Sequence, residues 1–123
     1  MCYFCSEYYQ CPKLKGFMSQ DKFSDILNMI RDTIRTVEPT AEIILYGSRA
    51  RGDARDDSDW DVLAIVDKPR LSLKDRGNLQ YLVWDKGLDM GEEINVLSYT
   101  KQQWEQAPPS LFKINVMREG IQL

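Results

Sequence analysis

The run Val62-Leu63-Ala64-Ile65-Val66 constrains this chain most, because five consecutive apolar residues demand a core while Asp59 and Asp61 stand at its mouth. Read as a strand from Asp59 to Val66, it alternates side chains between two faces. Asp59 and Asp61 then share one face and Trp60 and Val62 the other. The two carboxylates are separated by roughly 6 to 7 Å along such a strand. Crowding like charges beside a core is unfavourable unless a cation sits there, and a pair of hard oxygen donors suits magnesium.

The stretch that leads into this strand, Gly47 to Asp67, holds three arginines and six aspartates. A Gly47-Ser48 turn lies eleven residues before Asp59, and a turn without bulky side chains can aim backbone N–H groups at phosphate oxygens. Ser48 adds a hydroxyl, and Arg49 or Arg51 a charged donor. Two other readings of the stretch fail. Asp57, Asp59 and Asp61 have the alternate spacing of a calcium loop, but Val62 stands where glycine is required and Lys68 where glutamate is required. A Walker-type loop needs Gly-Lys-Ser/Thr after a glycine and four spacers, and the sequence has no such string. Asp53, Asp56 and Asp57 read as a solvated loop.

Around this centre the pattern is an alternation of helices and strands. Phe23, Ile26, Leu27, Ile30, Ile34 and Val37 recur at helical spacing from Asp21 onward, and Pro39 closes that helix. Ile43 to Tyr46 reads as a short strand, and Arg49-Ala50-Arg51 as a helical turn before Gly52. Ser72 with Asp75 forms a capping pair for a helix through about Trp84, with Gly87 as its stop. Glu93 to Tyr99 reads as a third strand. Thr100 with Gln103 caps a short helix broken by Pro108-Pro109, and Ser110 starts a last helix that ends at Gly120. The order defines an α/β (α+β) domain. Trp60, Trp84 and Trp104 are expected to fill the core or an interface, and Tyr46 to be a packing residue.

At 123 residues with 43% hydrophobic content, the chain fits one domain. Its net charge of −3 gives no general pull toward nucleic acid, so polyanion binding is expected to be local, as for one triphosphate. No apolar run approaches the roughly 18 residues of a membrane span, and a cytoplasmic location is the expectation. The absence of histidine excludes Ser-His-Asp and Cys-His nucleophile arrangements. Cys2, Cys5 and Cys11 begin like a metal site but lack a fourth soft ligand, and read as reduced thiols. Residues 1–17 have no clear period, and Met18 followed by Ser19-Gln20-Asp21 reads as a candidate true start. The expected division is an N-terminal extension, 1–17, and a domain, 18–123.

A strand followed by Gly-Ser, ten intervening residues and then Asp-hydrophobic-Asp-hydrophobic resembles the signature of the DNA polymerase beta-type nucleotidyltransferase superfamily. The string GSRARGDARDDSDWDVLAIVD is similar to its minimal nucleotidyltransferase (MNT) branch. The resemblance covers Asp21 to about Tyr99. It implies the nucleotidyltransferase fold, a small mixed sheet packed against helices. It further implies that Gly47 and Ser48 hold the phosphates of a nucleoside triphosphate with help from Arg49 and Arg51, and that Asp59 and Asp61 coordinate two Mg2+ ions. The third carboxylate of the family normally comes from the next core strand. Aligning that strand by its end puts Asn95 at the acidic position, and Glu93, one pleat away on the same face, is the candidate substitute as catalytic and metal-binding residue.

The implied activity is transfer of a nucleoside monophosphate, AMP from ATP, to a hydroxyl. Standalone domains of this kind resemble antitoxins whose partner is a helical HEPN-type ribonuclease toxin, which makes a tyrosine of that partner the implied acceptor. Two alternatives remain open on the sequence. One is transfer to a small molecule. The other is a module that binds nucleotide or partner without catalysis, for which Asn95 is the reason.

Overall fold

A computed structural model describes residues 18–123 of the chain. The N-terminal extension, with all three cysteines, lies outside the described residues, and so does the question of a start at Met18. From Met18 on, the elements are α1 (Gln20–Val37), β1 (Glu42–Tyr46), α2 (Ser48–Arg51), β2 (Trp60–Val66), α3 (Leu73–Asp89), β3 (Ile94–Thr100), α4 (Lys101–Gln106), α5 (Leu111–Glu119) and β4 (Ile121–Gln122). This is a mixed α/β architecture, as the order of sequence signals requires.

The four strands form one sheet in the order β3-β2-β1-β4. β1 pairs antiparallel with β2, β2 parallel with β3, and β4 antiparallel with β1. The apolar run is therefore an inner strand covered on both faces, which is why it is continuous rather than alternating. On one face, Ile26, Ile30 and Ile34 of α1 and Leu79 and Val83 of α3 close over Ile43, Leu45, Trp60, Val62 and Val96. On the other, Leu63 and Ile65 pack with Val116 of α5, bordered by Tyr46, Tyr99, Trp104 and Phe112. Asp61 alternates with Val62 and so belongs to this second face, the one that carries α5.

Local chemistry sets the ends of the helices. The Ser19, Ser72, Thr100 and Ser110 side chains each accept from the backbone N–H three residues on, and Ser72/Asp75 and Thr100/Gln103 close reciprocal capping boxes. The Asp75 carboxyl is held below the usual range because it accepts from the Ser72 backbone N–H. One expected boundary is displaced. α3 does not stop at Gly87 but runs to Asp89, and Gly87 is a packing residue inside it. A Cβ there would lie 2.7 Å from Ile94 Cδ1 and 3.0 Å from Glu92 O, so the missing side chain lets α3 lie close on β3. The helix is stopped instead by Met90 N–H bonding back to Gly87 O, with Gly91 at φ +78° beyond it.

β4 has no counterpart in the sequence reading. Two residues give no period, yet Gly120 ends α5 and lets the chain turn against β1. A Cβ at Gly120 would meet Ile44 Cγ2 at 2.6 Å. The chain then pairs Ile121 with Leu45 and Gln122 with Ile44, and Leu123 N–H donates to Ile43 O. At the opposite edge, the outward backbone groups of β3 are met by α3 side chains. The Gln80 amide pairs with Val96 N–H and Ile94 O, and Arg76 donates to Ser98 O. Those contacts blunt an otherwise open strand edge. Among the described residues no helix is long and apolar enough to cross a membrane.

Candidate active site

The Gly47-Ser48 turn and the aspartate pair meet at the end of two neighbouring strands. Tyr46, the last residue of β1, is in register with Asp61 on β2, so the turn that follows Tyr46 lies beside the Asp61 carboxylate. Gly47 has φ +81° and ψ −160°, a conformation essentially reserved for glycine. The neighbouring side chain adds to the backbone's restriction. A Cβ on Gly47 would stand 2.6 Å from Asp61 Oδ2. Glycine is required here by torsion, and any side chain would in addition push the Asp61 carboxylate aside.

Asp59 is exposed and Asp61 half-buried. The Asp61 carboxyl is pushed above the usual range, first by burial and then by the negative charge of Asp59, with Arg51 opposing. A carboxylate strained in this way gains from a neighbouring cation. Tyr46 is pushed up to about 12, by burial first and by the charges of Asp61 and Tyr99 after it. Its ring is held edge-on by Phe112, 5.4 Å between centroids. Tyr46 is therefore a neutral wall of the site, in keeping with a packing role.

Asn95 is in register with Asp61, and its Nδ2 donates to Asp59 Oδ2 at 3.2 Å. Glu93 precedes β3; its carbonyl accepts from Trp60 N–H, which sets Glu93 beside Asp59 at the end of the two strands. The Glu93 side chain is exposed. Among the described residues no three carboxylate or thiol side chains come together as a group able to hold a metal ion. Asp59 and Asp61 thus stand as a pair, with an amide rather than a third acid in contact with Asp59. The donor set they offer, two carboxylates of which one is desolvated and pressed against a glycine turn, fits a hard divalent cation.

The two arginines of the turn diverge. Arg51 stays at the site, about half exposed, with Nε on Asp53 Oδ2 at 3.1 Å and Nη1 on Glu119 Oε2 at 3.1 Å. Arg49 does not. Its side chain is buried, donates through Nη2 to Ser58 O at 2.9 Å and to Glu92 Oε1 at 3.5 Å, and lies over the Trp60 ring at 4.9 Å. Trp60 Nε1 also donates to Glu92, and Lys22 Nζ reaches its other oxygen at 3.1 Å. Because Trp60 faces away from Asp59 and Asp61, Arg49 belongs to a buried charge cluster behind the sheet. The expectation that Arg49 helps at the phosphates has no geometric support; its position is that of a brace between the loop and α1.

Two residues of this region were not legible as site residues. Glu92 reads in sequence as one of a pair of adjacent glutamates, and only tertiary packing buries it. Glu119 lies 72 residues from Gly47 in the chain, yet its Oε2 accepts the Gly47 N–H at 3.0 Å. The only sequence sign was its place one residue before the helix-ending Gly120.

Fold and site together define a mixed-sheet α/β domain built to bring a glycine turn and two carboxylates to one end of adjacent strands. The sequence matches the family model described as nucleotidyltransferase domain over residues 27–122, and the chain belongs to that family. Among solved structures it is similar to a minimal nucleotidyltransferase, at 25% identity and a TM-score of 0.61, covering 89% of this chain and 100% of the other. A nucleotidyltransferase from Sulfolobus solfataricus shares the fold at 19% identity and a TM-score of 0.53, with 89% and 87% coverage. So does a toxin-antitoxin structure with AMP-PNP, at 19% identity and a TM-score of 0.55, with 81% and 70% coverage. No curated protein sequence resembles the chain closely enough to count as a relative.

Proposed function

We propose that this domain transfers a nucleoside monophosphate, AMP from ATP, to a hydroxyl group with release of pyrophosphate, in a magnesium-dependent reaction. The observation that carries the reading is the contact between Asp61 and Gly47. A half-buried carboxylate whose charge is disfavoured, set against a glycine turn with a backbone N–H and Arg51 beside it, is the arrangement that a divalent cation and a phosphate chain would satisfy. In this reading Gly47, Ser48 and Arg51 hold the phosphates, and Asp59 and Asp61 would hold Mg2+. When bound, the metal supplies Lewis-acid stabilisation of charge on the phosphoryl oxygens.

The chain's own contribution is position. Gly47 offers close backbone approach, Arg51 a charged donor, and Asn95 fixes Asp59 by its amide. Asn95 cannot take a proton from an attacking hydroxyl. Glu93, exposed next to Asp59, is the carboxylate proposed for that step and as an additional metal ligand. Asp59, Glu93 and Asn95 are exposed at the strand ends, and the acceptor is proposed to reach them on a partner: a tyrosine of a helical HEPN-type toxin, with this domain as antitoxin. Support for a nucleotide and for a toxin partner in general comes from the toxin-antitoxin neighbour that contains AMP-PNP.

A second reading, a module that binds nucleotide or toxin without transfer, is favoured by Asn95 standing where an acid is usual. Incubation with α-labelled ATP, magnesium and the product of the adjacent gene separates the two. Label on the partner that disappears in the Asp59→Ala/Asp61→Ala variant supports transfer. A stable complex that stays unlabelled, and is indifferent to that double change, supports the binding module.

A further inference from the structure

The carboxylate of Glu119 occupies donors that the proposed function assigns to phosphate. Its Oε2 accepts simultaneously from Gly47 N–H at 3.0 Å and from Arg51 Nη1 at 3.1 Å. A backbone N–H beside a guanidinium is the donor pair with which proteins commonly hold a phosphate oxygen. Arg51 is in addition tied through Nε to Asp53, so two carboxylates already neutralise it. Glu119 is also badly placed for its own helix. It is the last residue of the nine-residue α5, where the negative end of the helix dipole disfavours an anion. What holds the carboxylate there, 17% exposed, is the turn and Arg51.

We infer that Glu119 is an internal anion that is exchanged for the phosphate chain when a triphosphate binds, and so sets the affinity for it. The inference rests on the reading of Gly47 and Arg51 as phosphate donors. A triphosphate cannot share these donors with a carboxylate at hydrogen-bond distance, because both would be negative and each needs the same N–H groups. Exchange releases the end of α5. Glu119 is followed at once by Gly120 and by β4, whose Ile121 and Gln122 pair with Leu45 and Ile44 on β1. Occupation of the turn is therefore coupled to the hold of the C-terminal strand on the sheet. The neutral Glu119→Gln variant keeps an acceptor for Gly47 N–H and removes the charge.

The test measures binding of AMP-PNP with magnesium to the full chain and to E119Q by calorimetry, with adenosine as the phosphate-free control. Exchange predicts that E119Q binds AMP-PNP on the order of tenfold more tightly, the loss of one charge-assisted competitor, while adenosine binding is unchanged. Equal or weaker binding of AMP-PNP by E119Q overturns the inference and leaves the proposed function standing. Failure of both proteins to bind AMP-PNP overturns the phosphate-site reading itself, and the inference with it. A wild-type measurement guards against a folding defect in the variant. On titration with magnesium and inorganic tripolyphosphate, the Gly47 amide resonance should shift, and the Leu123 amide should lose hydrogen-exchange protection at the same saturation. An unperturbed Gly47 amide on saturation overturns the exchange.

Discussion

Gly47→Ala puts the geometry of the site to a quantitative test. The backbone at Gly47, φ +81° and ψ −160°, costs a side-chain-bearing residue about 1–3 kcal/mol. The new Cβ would also stand 2.6 Å from Asp61 Oδ2. Ordinary contact distances lie near 3.5 Å, so the carboxylate or the turn must yield by about 1 Å. A displacement of that size at a reacting centre costs on the order of 100-fold in rate. The natural control is Gly52→Ala. Gly52 also has a positive φ, +89°, but its ψ is 11° and a Cβ there would have no atom within 4 Å. Urea unfolding should therefore show a loss for both variants, about 1–2 kcal/mol for G52A from its left-handed backbone alone. Transfer of labelled AMP should fall about 100-fold only in G47A. Wild-type transfer by G47A, or an equal loss in G52A, would refute the claim that the turn and Asp61 form one site.

Asp61→Asn is expected to stabilise the apo protein at neutral pH. Burial and Asp59 raise the folded-state pKa of Asp61 above its unfolded value, so its ionisation lowers stability as pH rises from the unfolded pKa to the folded one. The gain in denaturant midpoint should be full above that window and vanish below the ordinary carboxylate range. Asn95→Asp should weaken the metal-free protein, because a carboxylate replaces the amide that donates to Asp59. Its thermal midpoint should recover on adding magnesium, with a transfer rate above wild type. Glu92→Ala leaves buried Arg49 without its carboxylate and should cost about 3 kcal/mol in chemical unfolding. Arg49→Ala should likewise act on stability, with the KM for ATP unchanged in the folded protein, whereas Arg51→Ala should raise that KM.

The sequence made the inner strand legible because five apolar residues in a row have few other uses, and it made the helices legible because Ser72, Thr100 and Ser110 announce their starts. What local pattern could not carry was contact at long range. Gly87 carries the same signal whether it ends a helix or lets one approach a strand, and only Ile94 opposite decides between them. Arg49 and Arg51 are two residues apart and chemically alike. Their roles separate because Trp60 and Glu92 wait behind the sheet for one, and Glu119 stands beside the turn for the other. β4 was hidden for the same reason: two residues have no period, and the pairing with β1 exists only once α5 has turned back.

The most direct measurement is a crystal structure of the full chain with Mn2+ in place of magnesium and AMP-PNP. Anomalous density for the metal is expected at the Asp59 and Asp61 carboxylates, with the phosphate chain at Gly47 and Ser48. Metal bound away from that pair, or phosphates held on a different surface while Glu119 keeps the Gly47 N–H, would contradict this assignment of the site.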